Sequence, residues 1–266
     1  MDNVNKTLYI PLYGKSYVSK KGILLHDPTA EDIWNAEGFP LRRKSKSKWL
    51  AYHMGMRSRV FDQWLEAHRA NAALILHIGC GMDSRVLRCG TRGQLWVDVD
   101  FPEVITERRR YFTETPEYRM IGADVRDPTW LQGIPETIPA VVVMEGVSMY
   151  LEPQALKDLL QQLTGHFSSV SLLMDCYTVF AAKASRYKNP INEVGVTQVY
   201  GSDDPEALVL GTGLHFRGEH DLTPDDLIGQ LSPIEQLIFR NLFAGRFAKT
   251  LYRLYEFSST EQGGFL

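Results

Sequence analysis

Acidic residues and glycines stand at four places where short apolar runs of the chain end, and together they describe a ligand site. Leu74–Ile78 ends in Gly79-Cys80-Gly81, and Gln94–Val99 ends among Asp98, Val99 and Asp100. Tyr118–Ala123 runs into Asp124-Val125, and Ala140–Met144 runs into Glu145-Gly146. Glycines just after a strand let the backbone approach a ligand and aim helix N–H groups at it. Asp98 and Asp100 lie 17 to 19 residues beyond Gly81, a spacing that suits a carboxylate accepting both hydroxyls of an adenosine ribose. Each such charge-assisted hydrogen bond is worth about 1.5–3 kcal/mol. Asp124 and the Val125 N–H suit adenine, and Glu145 would face an amino group or a sulfonium. The dinucleotide fingerprint wants a third glycine where this chain has Ser84, and a diphosphate would want Lys or Arg where these acids stand. Any one of these residues alone reads as a surface acid or a tight turn. Four in succession favour a cationic, adenosine-bearing ligand.

Regular elements must hold these residues. The alternation of short apolar runs with helical stretches predicts a Rossmann-like α/β sheet, mostly parallel, with helices on both faces. Helices are expected over Thr29–Ala36, within Ser47–Ala70, from Ser84, from Pro102-Glu103 and over Pro153–Phe167, and a fifth strand over Val170–Met174 ending at Asp175. In an open sheet of this kind ligands bind beyond the carboxyl ends of the strands, where the acids and glycines fall. Residues 1–70 read as a helical cap on one domain spanning 1–266, and residues 179–220, rich in Gly, Asn, Asp and aromatics, as an insertion on the substrate side. Ile234–Leu242 and Lys249–Ser258 read as two closing strands joined through Phe243-Ala244-Gly245-Arg246, with the last strand antiparallel.

Composition limits the function classes. With 44% hydrophobic and 23% charged residues the 266-residue chain is of globular type, and its net charge of −3 argues against a nucleic-acid binder. No apolar run reaches the roughly 18–20 residues that span a bilayer, and the first residues lack a secretory pattern, so no membrane partner is expected. Cys80, Cys89 and Cys176 are odd in number and lack CxxC spacing, which points away from disulfides and zinc and toward the cytoplasm. Residues 1–60 carry eleven Lys/Arg against five Asp/Glu, with Arg42, Arg43, Lys44, Lys46 and Lys48 in one run. That basic segment over an acidic body could steer an anionic ligand; a solvated surface is the plainer reading.

HIGCGMDSR at 77–85, VDVDFPEV at 97–104, GADVRD at 122–127 and MEGVSMYL at 144–151 resemble the leucine carboxyl methyltransferase family, including its bacterial branch of polyketide-type small-molecule O-methyltransferases. HDPTAEDI at 26–33, MRSRVFD at 56–62 and the C-terminal YRLYEF fit the same pattern. The resemblance implies a seven-stranded methyltransferase sheet, S-adenosylmethionine as methyl donor and a small-molecule acceptor. It implies that Lys15 and Arg59, assisted by Arg57, bind the methionine carboxylate, and that Gly79, Cys80 and Gly81 pack against the methionine portion. It places Asp100, with Asp98 beside it, on the ribose, Asp124 and Val125 on adenine, Glu145 near the amino group and Tyr150 facing the substrate.

Other residues carry two readings each. Tyr177, Tyr187 and Tyr200 line a substrate pocket or pack in the core; Asp175 faces the substrate or caps a helix. His215 and His220 have no partner at metal-ligand spacing, so no metal is expected, and with Tyr150 they are the available bases for a hydroxyl acceptor. A carboxylate acceptor needs no base. A protein C-terminus as acceptor, a nicotinamide-dependent oxidoreductase and a non-catalytic nucleoside-binding module remain alternatives.

Overall fold

The computed structural model describes residues 8–37, 46–188 and 198–260. Arg42, Arg43 and Lys44 of the basic run, part of the 179–220 segment, and the Tyr187 side chain lie outside the described residues. Helices α1 (Tyr9–Lys20), α2 (Pro28–Glu37) and α3 (Lys48–His68) precede the first strand. Then follow β1 (Leu74–Ile78), α4 (Arg85–Cys89), β2 (Leu95–Asp100), α5 (Pro102–Arg108), β3 (Tyr118–Gly122), β4 (Pro139–Met144), α6 (Pro153–His166) and β5 (Ser169–Tyr177). The remainder is α7 (Val179–Lys188), α8 (Pro205–Val209), β6 (His215–His220), α9 (Asp225–Ile228), α10 (Pro233–Leu242), α11 (Arg246–Leu251) and β7 (Tyr252–Ser258).

The seven strands form one sheet in the order β3-β2-β1-β4-β5-β7-β6. Strands β1 to β5 pair in parallel, and β7 runs antiparallel between β5 and β6. Successive residues of a strand face opposite sides, so each central strand feeds two cores. In β4, Val141 and Val143 pack with α1 to α3, while Val142 and Met144 pack with α6. Strand order reverses at β1, which lies between β2 and β4; the connections leave to opposite sides there and open a crevice at the carboxyl ends.

Two expectations for the closing segment fail. Ile234–Leu242 is a helix, and the partner of the last strand is His215–His220, inside the segment read as an insertion. Pro233 at the first helical position and apolar residues at 234, 237, 238 and 242 have helical rather than alternating spacing. Strand β6 is a polar edge strand whose sequence HFRGEH lacks an apolar run, and its exposed edge explains that composition. Lys249 belongs to α11, and β7 starts at Tyr252. Among the described residues no helix is long and apolar enough to cross a membrane, and no group of three His, Cys, Asp or Glu is placed to hold a metal ion.

Candidate active site

A cavity of about 670 Å³ opens at the carboxyl ends of β1, β2, β3 and β4 and continues beneath α1, α7 and α11. Its size falls within the ~300–1,000 Å³ range of small-molecule sites. One wall is the strand-end set: Gly79, Cys80, Gly81, Asp100, Asp124, Val125 and Glu145 all line it. Gly79 and Gly81 have φ of +66° and +49°, in the left-handed region that favours glycine. A Cβ on Gly79 would stand 2.2 Å from Val147 Cγ2, so the β1 and β4 loops close on each other only because that side chain is missing. Between the glycines Cys80 is a filler, for burial pushes its thiol pKa well up and keeps it neutral.

The two aspartates of β2 have separate roles. Asp100 lines the cavity, and its Oδ2 and Oδ1 accept the N–H groups of Gly81 (2.7 Å) and Phe101 (2.8 Å). Burial raises its pKa despite these bonds. Asp98 does not line the cavity. It is fully buried and accepts from Trp96 Nε1 (2.8 Å), Tyr118 Oη (2.7 Å) and Arg108 Nη2. Burial alone would raise its pKa, but Arg108, His77 and Tyr118 bring it down to about 2. Arg108 in turn donates to the Gly81 carbonyl at 3.0 Å, so Asp98 steadies the glycine loop from below.

A connected ionic network underlies the site. Lys15 of α1 pairs with Asp83 at 2.6 Å, and Arg57 of α3 reaches Glu145 through Nε (3.0 Å) and Asp175 through Nη1 (2.8 Å). Arg85 joins Glu145 to Asp62, whose Oδ1 is 2.7 Å from Nε, and Arg88 ties Asp62 and Asp83 to Asp27. Burial would raise the Glu145 pKa, yet Lys15, Arg57 and Arg85 hold it at about 2. Asp175 is the reverse: burial outweighs Arg57 and the Gly146 N–H, and its pKa is raised. Five carboxylates meet four cations here, so the network carries one negative charge in excess.

The second wall is apolar. Leu8, Ile10, Leu50, Met54, Met149 and Leu251 line it, with Tyr150, Tyr177, Ser185 and Tyr252 among its polar groups. Four residues with expected roles are elsewhere. Arg59 is exposed on the other side of α3 and borders a different pocket, because one helical step of about 100° per residue separates it from the inward-facing Arg57 by some 200°. Tyr200 sits outside the cavity with its hydroxyl on Glu152 (3.2 Å), though its N–H holds the Met149 carbonyl at 2.8 Å. His215 is exposed on the edge strand, and His220 pairs with Glu256 at 2.6 Å, away from the cavity.

Sequence reasoning gave no roles to Asp27, Asp62, Asp83, Arg85 and Arg88, although all but Arg88 lie within the quoted motifs. For Asp62 the signal was a charge within an apolar stretch of α3, VFDQWL. The Asp27 carboxylate caps α2 through the Ala30 N–H (2.9 Å) and also receives Ser84 and Arg88, so the HDP element is bolted to the GMDSR element. Arg126 and Tyr252 also line the cavity unforeseen; Arg126 embraces Asp124, and that hydrogen bonding lowers the Asp124 pKa.

The donor set fits S-adenosylmethionine on the structure's own terms. The excess buried negative charge complements a ligand with a sulfonium and an ammonium, Asp100 is an acceptor with no cation bonded to it among the described residues, and the glycine loop admits close backbone approach. Such a sheet with such a site defines an S-adenosylmethionine-dependent methyltransferase. The family model of the leucine carboxyl methyltransferases matches residues 13–164, and the chain belongs to that family. It is 28% identical to the tetracenomycin polyketide synthesis O-methyltransferase TcmP of Streptomyces glaucescens, over 95% of this chain and 97% of the relative. It is 30% identical to the S-adenosyl-L-methionine-dependent methyltransferase dpfgK of Gibberella zeae, over 82% of each chain. A putative methyltransferase structure from Thermobifida fusca shares the fold with a TM-score of 0.54 at 15% identity, covering 86% of both chains.

Proposed function

We propose that this protein transfers a methyl group from S-adenosylmethionine to a carboxylate oxygen of a small, largely apolar molecule. The observation that carries the choice of a carboxylate is the make-up of the second wall. Among the described residues, the parts of α1, α7, α11 and the 148–150 turn that line the cavity contribute no histidine and no carboxylate. Glu145 and Asp83 line the cavity but are paired and held low, and His77 is buried with its pKa lowered, its Nε2 on Arg85 at 3.1 Å. A hydroxyl acceptor would need a general base beside its oxygen, whereas a carboxylate arrives as a nucleophile.

On this reading Asp100 takes the ribose, Asp124 and Val125 the adenine, and the Gly79–Gly81 loop the methionine portion. Lys15 and Arg57 face the methionine carboxylate, and Glu145 faces its ammonium. When bound, S-adenosylmethionine supplies an activated methyl group. The protein's residues therefore have to align and desolvate rather than move a proton, and alignment of this kind is worth about 7–11 kcal/mol. Helices α1 and α3 and, after β5, α7 and α11 enclose the acceptor. The O-methyltransferase relative from Streptomyces glaucescens supports transfer to oxygen.

The test is product analysis with isotopically labelled methyl donor and a panel of apolar carboxylic acids and phenols. Alkali-labile methyl esters are expected. Methyl ethers from the phenols alone would contradict a carboxylate acceptor.

A further inference from the structure

Tyr252 is the first residue of β7, beyond the 13–164 stretch that the family model matches. Its backbone is in register with Tyr177 at the end of β5, and the two rings meet edge to face with centroids 4.6 Å apart. The Arg57 guanidinium carbon lies 5.9 Å from the Tyr252 ring centroid, and both residues line the cavity. Arg57 spends Nε on Glu145 and Nη1 on Asp175. Tyr252 thus stands where the charged floor meets the apolar wall, held in place by a strand, a ring and a cation.

We propose that the Tyr252 hydroxyl donates a hydrogen bond to the acceptor's carboxylate and so selects acceptors that carry a carboxylate on an apolar body. This inference rests on the carboxyl-methyl reading above and adds the residue that enforces it. Burial, with Tyr177, Asp175 and Tyr150 near by, keeps the phenol protonated well above its ordinary range, so the hydroxyl stays a donor at any working pH. An anion on the acceptor gains from that donor and from the adjacent Arg57; a neutral acceptor of the same shape gains neither in full. Tyr252 is then a binding residue for the acceptor, with no part in holding the methyl donor.

Calorimetric titration of the S-adenosylhomocysteine-loaded protein with 2-naphthoate and with 2-naphthol tests this. Wild type is expected to bind 2-naphthoate at least tenfold more tightly than 2-naphthol. In Tyr252→Phe, which keeps the ring contact, 2-naphthoate is expected to weaken tenfold or more, a typical loss for a hydrogen bond to a charged group. Affinity for S-adenosylhomocysteine and for 2-naphthol should stay within twofold. Equal weakening of both naphthyl probes, or no weakening of either, overturns the proposal. So does a wild type that binds 2-naphthol as well as 2-naphthoate, or binds neither, an outcome independent of the variant's folding. Failure of the wild type to bind S-adenosylhomocysteine would instead strike the reading on which the proposal rests.

Discussion

Arg57 Nε lies 3.0 Å from Glu145 Oε1, and this contact ties helix α3 to the carboxyl end of the central strand β4. Both side chains are almost fully buried, and Ser58, the next residue of α3, places its hydroxyl 3.1 Å from the other Glu145 oxygen. Removing one partner of a buried pair leaves the other charge uncompensated, at a cost of about 3–5 kcal/mol.

Arg57→Met is therefore expected to lower unfolding free energy by about 3–5 kcal/mol and to abolish S-adenosylhomocysteine binding. Arg59→Met, two residues away on the exposed side of the same helix, should change stability by no more than about 0.5 kcal/mol and leave binding intact. Urea titration and calorimetry on the two variants check the pair.

Asp100 and Asp98 should separate binding from stability. Asp100→Asn removes the charge of the acceptor proposed for the ribose and is expected to weaken S-adenosylhomocysteine about tenfold or more with a small stability change. Asp98→Ala leaves Arg108 buried without its carboxylate and is expected to cost about 3–5 kcal/mol in chemical unfolding.

Gly79→Ala forces a Cβ into Val147 and a side chain into a positive-φ backbone. Its thermal midpoint should fall by several degrees, with ligand binding lost. Val147→Ala in the same chain relieves the clash but not the backbone strain, so recovery should be partial.

His53 provides a pH signature. Its ring packs on that of Phe239 of α10, tilted by 43° with centroids 4.9 Å apart, and burial, with Arg57 near by, lowers its pKa to about 4. The folded value lies below the unfolded one of about 6.5, so the unfolded chain binds more protons between them. Stability contributed by the neutral ring is therefore complete above about pH 6.5 and is lost as pH falls toward 4, by about 3 kcal/mol. His53→Phe should flatten that limb of the stability–pH profile relative to wild type. Glu145 and Asp98, both held near 2, lose their own contributions further down, below about pH 4.5.

Much of the fold was legible because the central strands are written as apolar runs ending in glycine or acid, and those ends are where the crevice lies. Strands β1, β2, β4 and β5 fall within a few residues of their expected bounds. What failed was written in weaker signals. The helical spacing of 234–242 was masked by its β-like composition, and β6 had no apolar run to announce it. At the site, residue types alone could not say that Asp98 faces the core while Asp100 faces the cavity. Strand alternation puts both on one side of the sheet, and only the position of Asp100 at the last residue of β2 frees it from Arg108. Arg57 and Arg59 likewise differ by facing, which an RxR motif does not encode. Tyr252 drew no notice because its role comes from a register with Tyr177 that the sequence does not show.

The most direct measurement of the central claim is calorimetric titration of the purified protein with S-adenosylmethionine, S-adenosylhomocysteine and NADH, with Asp100→Asn alongside. Micromolar binding of the two adenosyl ligands, weakened tenfold or more in the variant and absent for NADH, is the expected result. A folded protein that binds neither adenosyl ligand, or binds NADH in their place, would contradict the account.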